Sequence, residues 1–352
     1  MVTNGKRVLN FSGCEAVYVS CMHLLRYVSG LEAENGCAVV DQTGTTLYTD
    51  MRYMEAAEKL LVGTDVTPML YKQDDVLKRL ANYESVGISF DQTSHSEFLT
   101  LEKAGVKLVN IDDALAQAMT VKNSWELENI AKACEIAEKA FLELLPEIQE
   151  GMSEMEVAAL LEYKMRKNGA QGLSFETIVA FGPHAAVPHH ETGTTKLCYG
   201  DEILIDFGCK VNGYCSDITR TFLFGDDGKH EEFKKAYAAA LKAHELAKEK
   251  ITSGMTGAEA DAIARDYLKE AGYGELFTHS LGHGIGLNVH EFPSVSPRNT
   301  TSKLVDGMVF SDEPGVYKAG EYGIRIEDTV SLQNGKVKSF MSLTDRNLII
   351  LK

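Results

Sequence analysis

Gly200-Asp-Glu-Ile-Leu-Ile-Asp206-Phe-Gly-Cys-Lys-Val-Asn-Gly-Tyr214-Cys-Ser-Asp217-Ile-Thr219 decides how this chain of 352 residues is built. Two strand-like runs flank Asn212-Gly213, a dipeptide suited to a two-residue hairpin turn. With that turn, Asp217 faces Gly208, and Asp206 lies diagonally from it on the same face, ~7–8 Å away at Cα. Gly208 would then leave the space between the two acids empty. Two acids on one apolar face are costly to bury unless a cation lies between them. The stretch also has a counterpart. Gly307-Met-Val-Phe-Ser-Asp-Glu313 repeats Gly200–Asp206 at an offset of 107, and Glu327-Asp-Thr329 repeats Asp217-Ile-Thr219 at an offset of 110.

The repeat extends upstream. Gly151-Met-Ser153-Glu-Met-Glu156 and Gly254-Met-Thr256-Gly-Ala-Glu259 each open a helix with a Ser/Thr-x-x-Glu capping box. Both helices reach a glycine, Gly169 and Gly272, again 103 positions apart. Strand-like stretches ending near a histidine follow: Val187-Pro-His189-His190 and Asn288-Val-His290. Matches in one order with slowly drifting offsets imply a duplication, two α/β halves related by a pseudo-twofold axis. Ahead of them, Asn123-x-x-Glu126 caps a long helix with Leu127, Ile130, Ile136, Phe141 and Leu144 on its apolar stripe and Pro146 near its end. The first third reads as a separate small α/β domain. Its strands are Ala16–Ser20, Cys37–Val40 and Val106–Asn110; its helices are Met51–Leu61, Asp74–Tyr83 and Ser94–Ala104. A boundary within 112–123 divides the chain into domains 1–118 and 119–352.

Composition is globular, with 44% apolar and 24% charged residues and a net charge of −16. That charge argues against nucleic acid or an anionic membrane as partner. No apolar run approaches the ~20 residues of a membrane span. Seven cysteines, an odd set without a Cys-x-x-Cys, and an N-terminus without an apolar signal segment read as a reduced, cytoplasmic protein.

Five residues carry the chemistry: Asp206, Asp217, His283 in Gly-His283-Gly-Ile-Gly, Glu313 in Asp-Glu313-Pro-Gly and Glu327 in Arg325-Ile-Glu327-Asp. Singly, each has an ordinary reading. Asp206 ends a strand, Asp217 caps a turn, Glu327 pairs with Arg325, and His283 sits in a glycine loop. All five, however, lie in apolar or glycine-rich surroundings where an unpaired charge is expensive. Together they make a site for two divalent metals. Two metals sharing a water point to hydrolysis, and carboxylate-rich ligation favours manganese or another first-row divalent ion over structural zinc. His283 has no counterpart in the first copy, so the two metal positions should differ. His189 and His290 occupy matching places and would face each other across a cleft. His184, His190 and His279 carry weaker signals, and Cys209 and Cys215 read as buried strand cysteines.

The set Asp206-Phe-Gly…Tyr214-Cys-Ser-Asp217-Ile-Thr-Arg-Thr221, His279-Ser-Leu-Gly-His283-Gly-Ile-Gly-Leu-Asn-Val-His290-Glu, Glu313-Pro-Gly-Val-Tyr317 and Arg325-Ile-Glu327-Asp resembles the Xaa-Pro peptidases. These are the prolidase and aminopeptidase P branch of the pita-bread metallopeptidases. Leu25-Arg26-Tyr27-Val-Ser-Gly30 and Tyr48-Thr-Asp50-Met-Arg52-Tyr53 are similar to that branch's creatinase-like N-terminal domain, so the resemblance spans nearly the whole chain.

It implies an α/β (α+β) protein: a creatinase-like α/β domain followed by a pita-bread catalytic domain. The activity implied is hydrolysis of the bond between an N-terminal residue and proline, in dipeptides or short peptides, by a metal-bridged hydroxide. Asp206, Asp217, His283, Glu313 and Glu327 would be the ligands of two divalent ions, manganese with cobalt or zinc as alternatives, Asp217 and Glu327 bridging both. Glu313 would also handle the proton of the bridging water. His189 and His290 would contact substrate, with Arg325 behind them, and the protein would be a homodimer whose N-terminal domain helps close the site. Ser294 stands where many prolidases have arginine, and Leu24 where the N-terminal motif commonly has asparagine. A non-catalytic pita-bread binding protein and a creatinase-like hydrolase working without metal are the competing readings; the complete ligand set speaks against both.

Overall fold

A computed structural model describes residues 3–352, and the chain divides into two compact units, Met1–Met119 and Thr120–Lys352. Among the described residues no helix is long and apolar enough to cross a membrane.

The first unit is built on a six-stranded mixed sheet. Its order across the sheet is Val66–Leu70, Gly44–Thr49, Cys37–Asp41, Ala16–Val19, Val86–Ile88 and Leu108–Asn110. The two central strands are buried along their whole length, as their Val-rich sequences require. Helix Met51–Leu60 starts on Asp50, whose carboxylate accepts the Arg52 N–H, and helix His95–Lys103 starts on Ser94 in the same way. Helices Gly5–Ser12 and Met22–Ser29 and strands Gly44–Thr49, Val66–Leu70 and Val86–Ile88 were not foreseen. The stretch read as a boundary contains a helix, Asp112–Thr120.

The second unit repeats one plan twice. Helices Ser124–Leu144 and Glu154–Lys167 precede strand Glu202–Phe207, a short hairpin and strand Ile218–Phe224. Helices Glu231–Lys250 and Gly257–Glu270 precede strand Val309–Asp312, a second hairpin and strand Asp328–Gln333. Each short helix opens with the foreseen capping box, Ser153 with Glu156 and Thr256 with Glu259. The first copy's sheet runs Ile350–Leu351, Ile218–Phe224, Glu202–Phe207, Ile178–Phe181. The second runs Glu291–Val295, Gly282–Gly284, Val309–Asp312, Asp328–Gln333, Lys336–Ser339. Among the described residues one isolated antiparallel bridge, Thr219 to Glu327, joins the two sheets.

Asn212 and Gly213 both take positive φ, 49° and 84°, the backbone of a tight hairpin turn. The register holds from Val211 opposite Tyr214 to Ile218 opposite Phe207. Gly208 has a different reason from the one expected. A Cβ there would overlap the carbonyl oxygen of Ser216, so the glycine admits close backbone contact rather than leaving room between acids. The stretches around His189 and His290 are not strands. Strands Ile178–Phe181 and Gly282–Gly284 end earlier, and both histidines sit on the loops that follow.

The C-terminal tail closes the unit on its first helix. Glu138, fully buried, accepts backbone N–H bonds from Ser342, Leu343 and Thr344 and the Thr344 hydroxyl.

Candidate metal centre

Each acid stands where a strand meets a hairpin. Asp206 is next to last in strand Glu202–Phe207, and Asp217 precedes Ile218–Phe224. Glu313 follows Val309–Asp312 and Glu327 precedes Asp328–Gln333. The two copies therefore bring matching ends together at the Thr219–Glu327 bridge. One cavity of about 460 Å³ is lined by Asp206, Asp217, His283, Glu313 and Glu327, and also by His189, His290 and Arg325. Cys209 and Cys215 are buried away from it in the strands.

The donors converge closely. His283 Nε2 lies 3.6 Å from Asp217 Oδ2 and 3.3 Å from Glu313 Oε1. Ligand atoms of Asp217, His283 and Glu327 all fall within 4.8 Å of one another. His283 Nδ1 is 3.2 Å from the carbonyl oxygen of Gly284. Donation there puts the proton on Nδ1 and turns the Nε2 lone pair toward the carboxylates. A lone pair facing carboxylate oxygens is repulsive until a cation lies between them. Burial also pushes the His283 pKa down, keeping the ring neutral.

The carboxyls carry the same strain. Burial, then the charges of Glu327, Asp206 and Glu313, pushes Asp217 well above the ordinary carboxylate range. Glu327 is raised well above it by burial and by Glu313 and Asp206. Burial raises Glu313 despite the opposing influence of His279 and Arg325. Asp206 Oδ1 is buried with no hydrogen-bond partner. Hard carboxylate oxygens, one imidazole lone pair and an orphaned buried oxygen fit divalent cations, which would relieve all three.

Around the donors lies a framework the sequence had only partly exposed. Arg325 is buried and donates to Asp206 Oδ2 at 2.6 Å, to Thr219 Oγ1 at 2.9 Å and to the Tyr317 hydroxyl at 2.8 Å. Thr219 in turn donates to Glu327 Oε2 at 2.6 Å, and Ser311 to Glu313 Oε1 at 3.0 Å. His279 meets the Tyr317 hydroxyl at 2.9 Å, so it supports the wall through Tyr317. The alternating Ile-Thr-Arg-Thr after Asp217 was the available signal for Thr219. Tyr317 carried none, because its partners Arg325 and His279 lie on other elements, and Ser311, two residues before Glu313, reads as an ordinary strand residue. His189 and His290 open onto the cavity; partial desolvation there and the neighbouring His283 lower the His290 pKa to about 4. Phe175, Ile178 and Pro188 supply an apolar side, while Glu176 and Ser294 are polar parts of the wall.

Buried charges brace this centre from behind. Lys122 Nζ donates to Glu291 Oε1 at 2.5 Å, with their side chains 1% and 10% exposed. Asp328 accepts from Arg220 and Arg346, and His244 lies 3.1 Å from Asp312 Oδ2 and 3.5 Å from Asp328 Oδ2.

Residues 128–334 match the model of metallopeptidase family M24, and residues 6–118 match that of the creatinase/prolidase N-terminal domain. The chain is 37% identical over 347 residues to a protein of Pyrococcus furiosus named Xaa-Pro dipeptidase, covering 97% of each. Among solved structures it is similar to one described as an Xaa-Pro dipeptidase from Bacillus anthracis, at TM-score 0.92, 33% identity and 99% coverage of both chains. It is also similar to one described as an X-Pro aminopeptidase from Thermotoga maritima, at TM-score 0.90 and 37% identity, covering 98% of this chain and 99% of that one.

Proposed function

The chain belongs to metallopeptidase family M24, and from that premise we propose that it hydrolyses the bond between an N-terminal residue and a following proline in dipeptides or short peptides. The observation that carries the proposal is the meeting of four acids from two duplicated hairpins with His283 of strand Gly282–Gly284 in one cavity, with Asp206 Oδ1 buried and unpartnered. Full-length similarity to proteins named for Xaa-Pro cleavage supplies the substrate class.

Asp206, Asp217, His283, Glu313 and Glu327 would hold two divalent ions, Asp217 and Glu327 serving both. Manganese suits the carboxylate-rich set best, with cobalt or zinc as alternatives. Such ions, when bound, supply Lewis acidity that makes water a nucleophile near neutral pH and polarises the scissile carbonyl. The remaining work belongs to the side chains. Glu313 takes the proton of the attacking water and delivers it to the leaving imino nitrogen of proline. His189 and His290, facing the cavity from the two loops, donate to the carbonyl oxygen as charge develops on it. Arg325 holds Asp206 and Tyr317 in place, and Phe175, Ile178 and Pro188 receive the apolar part of the substrate. The enzyme works in the cytoplasm, in keeping with seven cysteines that are all free, and as a homodimer.

The test strips the metal and restores Mn²⁺, Co²⁺ or Zn²⁺. An Xaa-Pro dipeptide, an Xaa-Pro-Yaa peptide and an Xaa-Ala control are then compared. Cleavage of Xaa-Ala at equal rate would remove the proline reading. Full activity in Asp217→Ala would remove the metal mechanism.

A further inference from the structure

Glu154 is the first residue of helix Glu154–Lys167, and its side chain is wholly buried. Its Oε1 accepts the Phe181 N–H at 3.1 Å and meets His184 Nδ1 at 2.9 Å. Its Oε2 accepts the Gly193 N–H at 2.9 Å and meets His190 Nε2 at 3.0 Å. Burial would raise its pKa, but His190, His184 and the two backbone donors outweigh that and hold it low. All four donors come from one segment, 181–193, whose exposed middle carries His189 into the cavity.

Glu154, His184 and His190 are close enough together to hold a metal ion. Their bonding argues otherwise. A carboxylate has about four acceptor directions, and here each faces a donor. With both imidazole nitrogens donating, no lone pair is left pointing inward for a cation.

Nor does the fold itself demand a carboxylate at this place. The matching position in the second copy, 103 residues on, is Gly257. The same capping box forms there, and a Cβ would overlap the carbonyl oxygen of Ser294. The second copy ties its own loop differently, through Lys122 and Glu291. In both copies, then, the residue just after the cavity histidine is fastened to a buried opposite partner: His190 to Glu154, Glu291 to Lys122.

We propose that Glu154 is a positioning residue for the reaction, fixing His189 in the cavity by clamping the 181–193 segment at both ends and through His190. The proposal rests on the reading of His189 as a substrate-facing donor. Arg325 Nη1 also reaches the Pro188 carbonyl oxygen, at 3.4 Å. The segment thus keeps a second tie, and losing Glu154 should displace it rather than unfold it. A displacement near 1 Å can cost on the order of 100-fold in rate.

Glu154→Gln keeps the shape but turns one acceptor into a donor facing donors. We would measure kcat, KM, bound metal and Tm for Glu154→Gln, His189→Ala and the double variant on an Xaa-Pro-Yaa peptide. The expected result is a ~10–100-fold fall in kcat/KM for Glu154→Gln with metal content unchanged, and less than ~3-fold further loss when it is added to His189→Ala. Equal losses in both backgrounds, or a Glu154→Gln enzyme of wild-type rate beside a crippled His189→Ala, would overturn the proposal alone. A His189→Ala enzyme of wild-type rate would remove the reading of His189 and the proposal together. An extra equivalent of zinc bound by the wild type and lost in Glu154→Gln would overturn it in favour of a metal site. If Glu154→Gln does not fold, His190→Leu removes one donor and leaves three; the same cycle applies, with a several-fold loss expected.

Discussion

Arg325 is the cation on which the carboxylates lean, and its geometry is that of a guanidinium. Three nitrogens serve Asp206, Thr219 and Tyr317 in one plane, which an ammonium cannot reproduce. Arg325→Lys should therefore lower kcat/KM by ~10–100-fold with metal still bound; assays paired with metal analysis check this. Metal removal should change the pH dependence of stability as well. Asp217, Glu313 and Glu327 have raised pKa values in the metal-free fold. Their contribution to stability is present below the unfolded carboxylate range, roughly pH 4, and is lost as pH rises through the raised values. Thermal melts in chelator should fall increasingly below melts with Mn²⁺ as pH climbs from 5 to 8, and parallel curves would refute this. At this scale the sequence was informative wherever chemistry clashed with surroundings, as with acids on apolar strands or a histidine among glycines. It was silent on Glu154, which sits in a capping motif and looks like an ordinary first-turn acid.

Helix Glu231–Lys250 is fastened to the second sheet by His244, buried between Asp312 and Asp328. Burial opposes a charged imidazole, but Asp312 and Asp328 outweigh it and raise the pKa to about 10. Stability from this contact is fully present below the unfolded histidine value, about 6.5, and is lost as pH rises through about 10. His244→Gln should destabilise the protein by ~3 kcal/mol at pH 6, with the gap closing by pH 10.5. A gap constant across that range, measured by denaturant titration, would contradict the charged ring. Caps are worth less: Thr256→Ala should cost ~1 kcal/mol. Elements whose signal is local were legible, including the Asn212-Gly213 hairpin and all three capping boxes of the second unit. Short strands such as Val86–Ile88 were not, because their burial comes from a sheet assembled across distant sequence. The loops of His189 and His290 were read as strands for a related reason. Their apolar residues join no ladder: Pro188 lines the cavity and Val187 is exposed.

Across the whole molecule, the duplication was readable because capping boxes, glycines and acids recur in order, and the expected pairing of an N-terminal α/β domain with a pita-bread domain holds. What the repeat could not show is how the copies are stitched together. The tail does part of this, since Glu138 accepts hydrogen bonds from residues 342–344. Deleting residues 340–352 would leave a buried carboxylate bare and remove strand Ile350–Leu351 from the first sheet. We expect that variant to lose its cooperative melt and its metal binding, whereas Ile350→Ala alone should keep both. The stitch also imposes an order in time. Glu138 and its partners are separated by 204 to 206 positions, so on a ribosome adding ~5–20 residues per second the helix waits roughly 10–40 s for them. Until residues 342–344 are made, Glu138 lacks the donors that let it be buried, and a nascent chain that stalls short of them cannot close its first half.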